Sequence, residues 1–96
     1  MCGISGIIGS QQYSENDVKK MINKIAYRGP DEQGTINLGN IYLGHARLAI
    51  VDPENGSQPM SNEDDSVWVV FNGEIYNHIE IRNFLIQRGY TFKSRC

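Results

Sequence analysis

The sequence lacks a long hydrophobic run and an excess of charge of either sign. Nine Lys and Arg residues are balanced by eleven Asp and Glu residues, which leaves a formal net charge of −2 in 96 residues. Binding to a nucleic acid backbone needs several clustered cations, and the basic cluster of Lys19, Lys20 and Lys24 fits the solvent-facing side of a helix. No apolar run approaches the ~20 residues that span a bilayer, and the N-terminus lacks the positive segment of a signal peptide. The composition therefore predicts neither a nucleic acid nor a membrane as a partner.

Cysteine is also scarce, since the sequence contains only Cys2 and Cys96. In a chain without an export signal, two cysteines are expected to be reduced thiols in the cytoplasm, and a disulfide between them would need an oxidising compartment. A zinc site would have to combine both cysteines with both histidines, His45 and His78, which lack the short ligand spacings typical of such sites. We therefore expect a cytoplasmic protein with no metal in this segment.

The sequence predicts both β-strands and α-helices, in a chain that is long enough for one modest hydrophobic core. Apolar β-branched runs predict strands over residues 4–8, 35–38, 41–43, 46–51 and 67–71, with a last strand that starts at Tyr90 and Phe92. The pair 35–38 and 41–43 is predicted as a hairpin, and the strand 67–71 as buried on both faces. Apolar residues at helical spacing predict two helices. The first helix is capped by Ser14 and Asp17, and its inner stripe is predicted to be Val18, Met21, Ile22 and Ile25. The second helix starts near Asn77, has an apolar stripe of Ile81, Phe84 and Leu85, and ends at Gly89.

Cys2 is the residue with the most chemical content. Its position alone fits a small buried residue at the start of a strand. If Met1 is removed after synthesis, however, the sulfur lies a few ångströms from its own α-amine. An α-amine has an ordinary pKa of about 7.7–8.0 and a thiol one of about 8.5, so a proton can pass between them near neutral pH. An N-terminal nucleophile that uses its own amine as base is an established arrangement.

Five short motifs decide between these two interpretations of Cys2. In chain order they are Cys2-Gly3-Ile4, Arg28-Gly29-Pro30-Asp31, Gly44-His45-Ala46-Arg47-Leu48-Ala49-Ile50-Val51-Asp52, Ser57-Gln58-Pro59-Met60 and Phe71-Asn72-Gly73-Glu74-Ile75-Tyr76-Asn77. Together they resemble the class II glutamine amidotransferase domain of glutamine-hydrolysing asparagine synthetases, from residue 2 to residue 96. The resemblance implies an α+β fold that is part of a four-layer αββα N-terminal nucleophile hydrolase sandwich with antiparallel sheets. Hexosephosphate and phosphoribosyl amidotransferases share the Cys-Gly-Ile start, but the last motif is more similar to the asparagine synthetase branch.

The resemblance also implies the catalytic roles. Cys2 would attack the amide of L-glutamine to form a γ-glutamyl thioester, and its α-amine would carry the thiol proton to the departing ammonia. The side-chain amide of Asn72 and the backbone N–H of Gly73 would form the oxyanion hole.

The same resemblance implies how L-glutamine is held. Arg47 would pair with the α-carboxylate, because a guanidinium binds that planar anion through two hydrogen bonds. Glu74 would meet the α-ammonium. The backbone of four consecutive residues would line the pocket: Leu48, Ala49, Ile50 and Val51.

By resemblance, the chain is expected to be the N-terminal portion of a longer enzyme, because Phe92-x-Ser94-x-Cys96 normally runs into an Asp-Thr-Glu stretch. The parent would contain a C-terminal synthetase domain that uses ATP and Mg and amidates aspartate, and a homodimer is compatible with this architecture. Two alternatives stay open. The segment would be a non-catalytic piece that self-associates through unpaired sheet edges, or it would belong to a relative that amidates another acceptor.

Overall fold

The computed structural model describes residues 1–9, 12–49 and 56–95. Its elements are, in order, β1 (Gly3–Ile8), α1 (Glu15–Lys24), a 3-10 turn (Ala26–Arg28), β2 (Glu32–Asn37), β3 (Ile41–Arg47), β4 (Met60–Ser61), β5 (Trp68–Val69) and α2 (His78–Gln87). The first three strands form an antiparallel sheet with β3 in the centre, and β4 pairs antiparallel with β5. The expected α+β class with antiparallel sheets is confirmed.

The predicted hairpin joins β2 to β3. Leu38 N–H donates to the Ile41 carbonyl at 2.8 Å, which closes the turn at Gly39 and Asn40. The strand predicted over 46–51 is not a separate one, because residues 46 and 47 are the end of β3 and the next two residues have left the sheet. Residues 50 and 51 of that prediction lie outside the described residues. Pairing with β1 on one side and β2 on the other keeps the middle of β3 extended.

Helix α1 covers one face of this sheet. It begins after Ser14, whose N–H donates to the Asp17 carboxylate at 2.7 Å, as the capping pattern predicts. Val18 and Ile22 are fully buried, whereas Met21 is 40% exposed, so its predicted place in the inner stripe is wrong. The helix lies close to the sheet because the strands present small residues beneath it. A Cβ atom on Gly44 would lie only 2.6 Å from the Ile22 side chain.

The opposite face of the sheet carries the two buried polar residues of the described chain, His45 and Arg47. Directly paired residues point to the same side, and alternate residues of one strand share a face. Ile4, Gly34 and His45 are paired across the three strands, and Arg47 lies two residues beyond His45. We call this surface, defined by Ile4, Gly34, His45 and Arg47, the site face.

The second half of the described chain is more exposed than the sequence predicts. A strand is present in the predicted run, but Val67, Val69 and Phe71 are 63%, 49% and 43% exposed, so its predicted burial on both faces is wrong. Within the described residues β5 is two residues long and pairs only with β4. Helix α2 buries none of its residues, and residues 90–95 form no strand, contrary to the expectation for Tyr90 and Phe92.

The end of α2 is correctly predicted at Gly89. Gly89 has a φ of +93°, and its N–H donates to the Ile86 carbonyl at 3.0 Å, while Tyr90 N–H donates to Leu85 at 3.1 Å. This pair of hydrogen bonds is the Schellman motif, in which a glycine adopts the left-handed conformation without a steric penalty. Neither helix in the described ranges is long and apolar enough to cross a membrane.

Candidate active site

The Cys2 sulfur lies at the N-terminal end of β1 and is half-buried. Leu48 N–H donates to Cys2 Sγ at 3.3 Å, and the thiol lies 3.9 Å from the Leu48 carbonyl oxygen. A donor aimed at sulfur interacts more strongly with a thiolate than with a thiol. The structure therefore brings together two of the residues that the sequence analysis assigns to one pocket.

Arg28 holds the main chain of the same residue. Its Nε donates to the Cys2 carbonyl at 3.1 Å, and its Nη2 lies 4.0 Å from Met1 Sδ. Met1 itself is 72% exposed, so the bond that precedes Cys2 is accessible. The motif that contains Arg28 gives no local sign of this contact, which joins residues 26 positions apart.

The loop that follows Arg28 packs against the end of β3. Asp31 N–H donates to the Arg47 carbonyl at 3.0 Å, and the Asp31 carboxylate accepts from Ala49 N–H at 2.8 Å. Gly29 is buried, and a Cβ atom there would overlap the carbonyl of Ala46 and the amide nitrogen of Arg47. The loop thus fixes the backbone on both sides of Leu48. Ile50 and Val51, also assigned to the pocket, lie outside the described residues.

We expect Gly29→Ala to destabilise the protein, because the new methyl group meets rigid backbone. Overpacking of this kind costs about 1–3 kcal/mol in the free energy of unfolding, which urea denaturation of the intact protein would measure. Gly6→Ala is the matched control, since its Cβ would be 3.4 Å from the nearest atoms. Equal stability of the two variants would contradict the close packing at Gly29.

Arg47 is 3% exposed and forms an ion pair with Glu32, with 3.3 Å between Nη1 and Oε2. The hydroxyl of Ser57 donates to both oxygens of that carboxylate, at 2.7 and 3.0 Å. A buried guanidinium needs such a counter-ion because its desolvation is costly. Glu32 lies outside all five sequence motifs and was not predicted as a site residue. The signal was its place directly opposite Arg47 in the β2–β3 register, where side chains of opposite charge meet.

His45 is fully buried on the site face, and its Nε2 lies 3.2 Å from the carbonyl oxygen of Phe71. Desolvation lowers the pKa of His45 below its ordinary value, and the nearby positive charge of Arg47 acts in the same direction. The ring is therefore neutral at neutral pH. Because a carbonyl oxygen only accepts, the proton is on Nε2, which donates to Phe71.

The residues assigned to the oxyanion hole follow Phe71 directly. Phe71 N–H donates to Gln58 Oε1 at 2.6 Å, so both polar groups of its main chain are held. Asn72, Gly73 and Glu74 are exposed. The structure thus joins the Asn72 segment to the site face through Phe71, and leaves Glu74 on the exposed stretch before α2.

The described residues contain no group of three or more His, Cys, Asp or Glu side chains that could hold a metal ion. His45 lies inside the structure, and His78 is exposed at the start of α2. Cys96, the remaining member of the zinc alternative, lies outside the described residues.

Comparison with known proteins gives a consistent result. A family model described as "Glutamine amidotransferase domain" matches residues 1–96. The chain is 42% identical over 99 residues to "Asparagine synthetase [glutamine-hydrolyzing] 1" of Bacillus subtilis, covering 98% of this chain and 16% of that protein. It is 42% identical to the protein of that name from Lotus japonicus, covering 100% of this chain and 17% of that protein. It is 43% identical to "Asparagine synthetase [glutamine-hydrolyzing]" of Sandersonia aurantiaca, covering 98% of this chain and 18% of that protein. The chain thus spans about a sixth of the length of these curated relatives.

Proposed function

The chain belongs to the glutamine amidotransferase domain family, and on this premise we propose that it hydrolyses L-glutamine at Cys2 and releases ammonia for an amidation. The observation that carries the proposal is the hydrogen bond from Leu48 N–H to Cys2 Sγ. Leu48 directly follows Arg47, so the bond brings the nucleophile next to the residue proposed to hold the substrate carboxylate. The deciding measurement is glutamine hydrolysis by the intact enzyme with and without the Cys2 thiol.

The proposed chemistry starts once Met1 has been removed. The α-amine of Cys2 takes the thiol proton, and the sulfur attacks the carboxamide carbon of glutamine. The C–N bond then breaks, and the α-ammonium gives its proton to the leaving nitrogen, which departs as ammonia. Water hydrolyses the γ-glutamyl thioester to glutamate and regenerates the thiol. Arg28 contributes by holding the Cys2 carbonyl, and therefore the direction of the side chain.

Charge that develops on the substrate oxygen needs donors that are already in place. We assign these donors to the side-chain amide of Asn72 and the backbone N–H of Gly73. Both residues are exposed, so a substrate can reach them. Neither group titrates, and each offers a neutral N–H to the tetrahedral intermediate.

Recognition of the amino-acid end of glutamine is assigned to opposite charges. The guanidinium of Arg47 would bind the α-carboxylate, and Glu74 the α-ammonium. The Glu32 carboxylate, which accepts from Arg47 Nη1 at 3.3 Å, would hold the guanidinium in place for this contact. The backbone of Leu48, Ala49, Ile50 and Val51 completes the proposed pocket.

We expect Arg47→Lys to raise the KM for glutamine by about 10- to 100-fold, because an ammonium cannot bind a carboxylate through two parallel hydrogen bonds, and a charge-assisted bond is worth ~1.5–3 kcal/mol. The value of kcat should change much less. Steady-state glutaminase kinetics measure both constants, with Arg88→Lys on the exposed end of α2 as the matched control. A loss confined to kcat would remove Arg47 from carboxylate binding.

We further propose that the chain is the N-terminal portion of its amidotransferase domain, within a four-layer αββα sandwich. The three-stranded sheet and α1 would supply one β layer and one α layer, and the site face would meet the second sheet. The relatives' names and their greater length support a parent enzyme that makes asparagine from aspartate. It would be cytoplasmic and homodimeric, with a separate synthetase domain for ATP and Mg.

A further inference from the structure

Burying the polar ring of His45 costs free energy that needs to be explained by a specific interaction. It is fully buried, and its Nδ1 has no hydrogen-bond partner within residues 1–9, 12–49 and 56–95. A buried polar atom without a partner costs about 1–3 kcal/mol, whereas an apolar side chain of similar shape would avoid that penalty. Packing alone therefore does not account for a histidine at this position. The hydrogen bond from Nε2 to the Phe71 carbonyl is the contact that an apolar side chain could not make.

That bond connects two separate parts of the fold. His45 is in the centre of β3, and Phe71 lies 26 residues later, beyond β5. The carbonyl of Phe71 and the N–H of Asn72 belong to one planar peptide unit. Holding the oxygen therefore fixes the plane from which Asn72 departs, while Gln58 Oε1 fixes the preceding N–H.

Asn72 has little else to orient it. Its side chain makes no hydrogen bond within the described part of the chain, and it is exposed, as are Gly73 and Glu74. We propose that His45 is a positioning residue for the oxyanion hole, aiming Asn72 and Gly73 by donating Nε2–H to the carbonyl oxygen of Phe71. Gln58 holds the same residue through its other main-chain group, because its Oε1 accepts from Phe71 N–H. This inference rests on the proposed glutaminase function.

The test uses two substitutions in the intact enzyme. His45→Leu keeps an apolar volume and removes the donor, whereas His45→Gln places an amide Nε2–H at the same number of bonds from Cβ. A misplaced catalytic group can cost about 10²-fold, so we expect His45→Leu to lower kcat for glutamine hydrolysis by roughly that factor with KM little changed. His45→Gln should recover most of the loss. His78→Leu is the matched control, because His78 is the other histidine and is exposed.

Two further readouts separate positioning from general support of the fold. Alkylation of Cys2 by iodoacetamide needs the thiol but no oxyanion hole, and ammonia-dependent synthesis needs neither. Both should be unchanged in His45→Leu if His45 acts through Asn72. Loss of all three activities together, without recovery in His45→Gln, would assign His45 to folding alone and overturn the proposal. Wild-type kcat in His45→Leu would overturn it as well.

Gln58 supplies an independent second variant, since it is half-exposed and its loss threatens the fold less. Gln58→Met removes the acceptor for Phe71 N–H, and Gln58→Glu keeps it. We expect Gln58→Met to have a lower kcat than the wild type and Gln58→Glu to recover most of the loss. An equal kcat in the two variants would count against the positioning of Phe71, even if His45→Leu does not fold. If the wild type itself fails to hydrolyse glutamine, the proposed function is at fault. If it hydrolyses glutamine and only the His45 and Gln58 variants are neutral, the positioning inference alone fails.

Discussion

Replacing Cys2 by alanine should abolish glutamine hydrolysis while leaving synthesis from free ammonia intact. Loss of the nucleophile removes the only group proposed to form the thioester, and in other enzymes such a loss costs roughly 10⁶-fold in kcat. Alanine keeps the small volume at this half-buried position, so the backbone bond from Arg28 to the Cys2 carbonyl has no reason to break. Glutamate release and product formation with glutamine or ammonium salts, measured in the intact enzyme, give the two activities separately.

The matched control for this experiment is Cys96→Ala, which removes the other thiol of the sequence. It should retain glutaminase activity. If Cys2→Ala used glutamine as well as the wild type, the nucleophile assignment would be wrong. If both nitrogen donors failed together, the substitution would have damaged the fold, and mass spectrometric detection of a γ-glutamyl adduct on Cys2 in the wild type would then decide the role.

Local signals in the sequence predicted the first half of the fold well. The Ser14 and Asp17 cap, the buried pair Val18 and Ile22, and the turn at Gly39 each depend on residues a few positions apart. Local patterns carry such information because hydrogen bonds of helices and tight turns are short-range in sequence.

The errors arose where partners distant in sequence decide the structure. The run from Val67 to Phe71 has the composition of a buried strand, yet its burial depends on what packs against it, and the described residues supply only β4. The extent of β3 was likewise set by pairing with β1 and β2 rather than by its own residues.

The same distinction holds for the site. Chemistry and motif resemblance selected Cys2, Arg47 and Asn72, because few residue types can act as a nucleophile, bind a carboxylate or donate to an oxyanion. The supporting contacts were not predicted. Leu48 N–H reaches Cys2 across 46 residues, and His45 reaches Phe71 across 26, so both depend on the register of the finished sheet.

Asn72→Ala should lower kcat for glutamine hydrolysis by about 10²–10³-fold with little change in KM, as for other oxyanion donors. The oxyanion exists only in the tetrahedral intermediates and their transition states, so its donor stabilises the reaction step more than substrate binding. Asn72 is exposed and makes no hydrogen bond within the described residues, so removing its amide leaves no buried group unpaired. The free energy of unfolding should therefore stay close to that of the wild type.

Asn77→Ala is the matched control, because Asn77 precedes α2 and makes no side-chain capping hydrogen bond. Asn72→Asp sharpens the experiment: a carboxylate has nearly the same shape as the amide, cannot donate when ionised, and repels a developing oxyanion. It should be at least as impaired as alanine at pH 7, although its side chain is almost isosteric. Near-wild-type kcat in Asn72→Ala would remove Asn72 from the oxyanion hole. Such a result would also leave Gly73 as the one oxyanion donor through which the contact between His45 and Phe71 could act on catalysis.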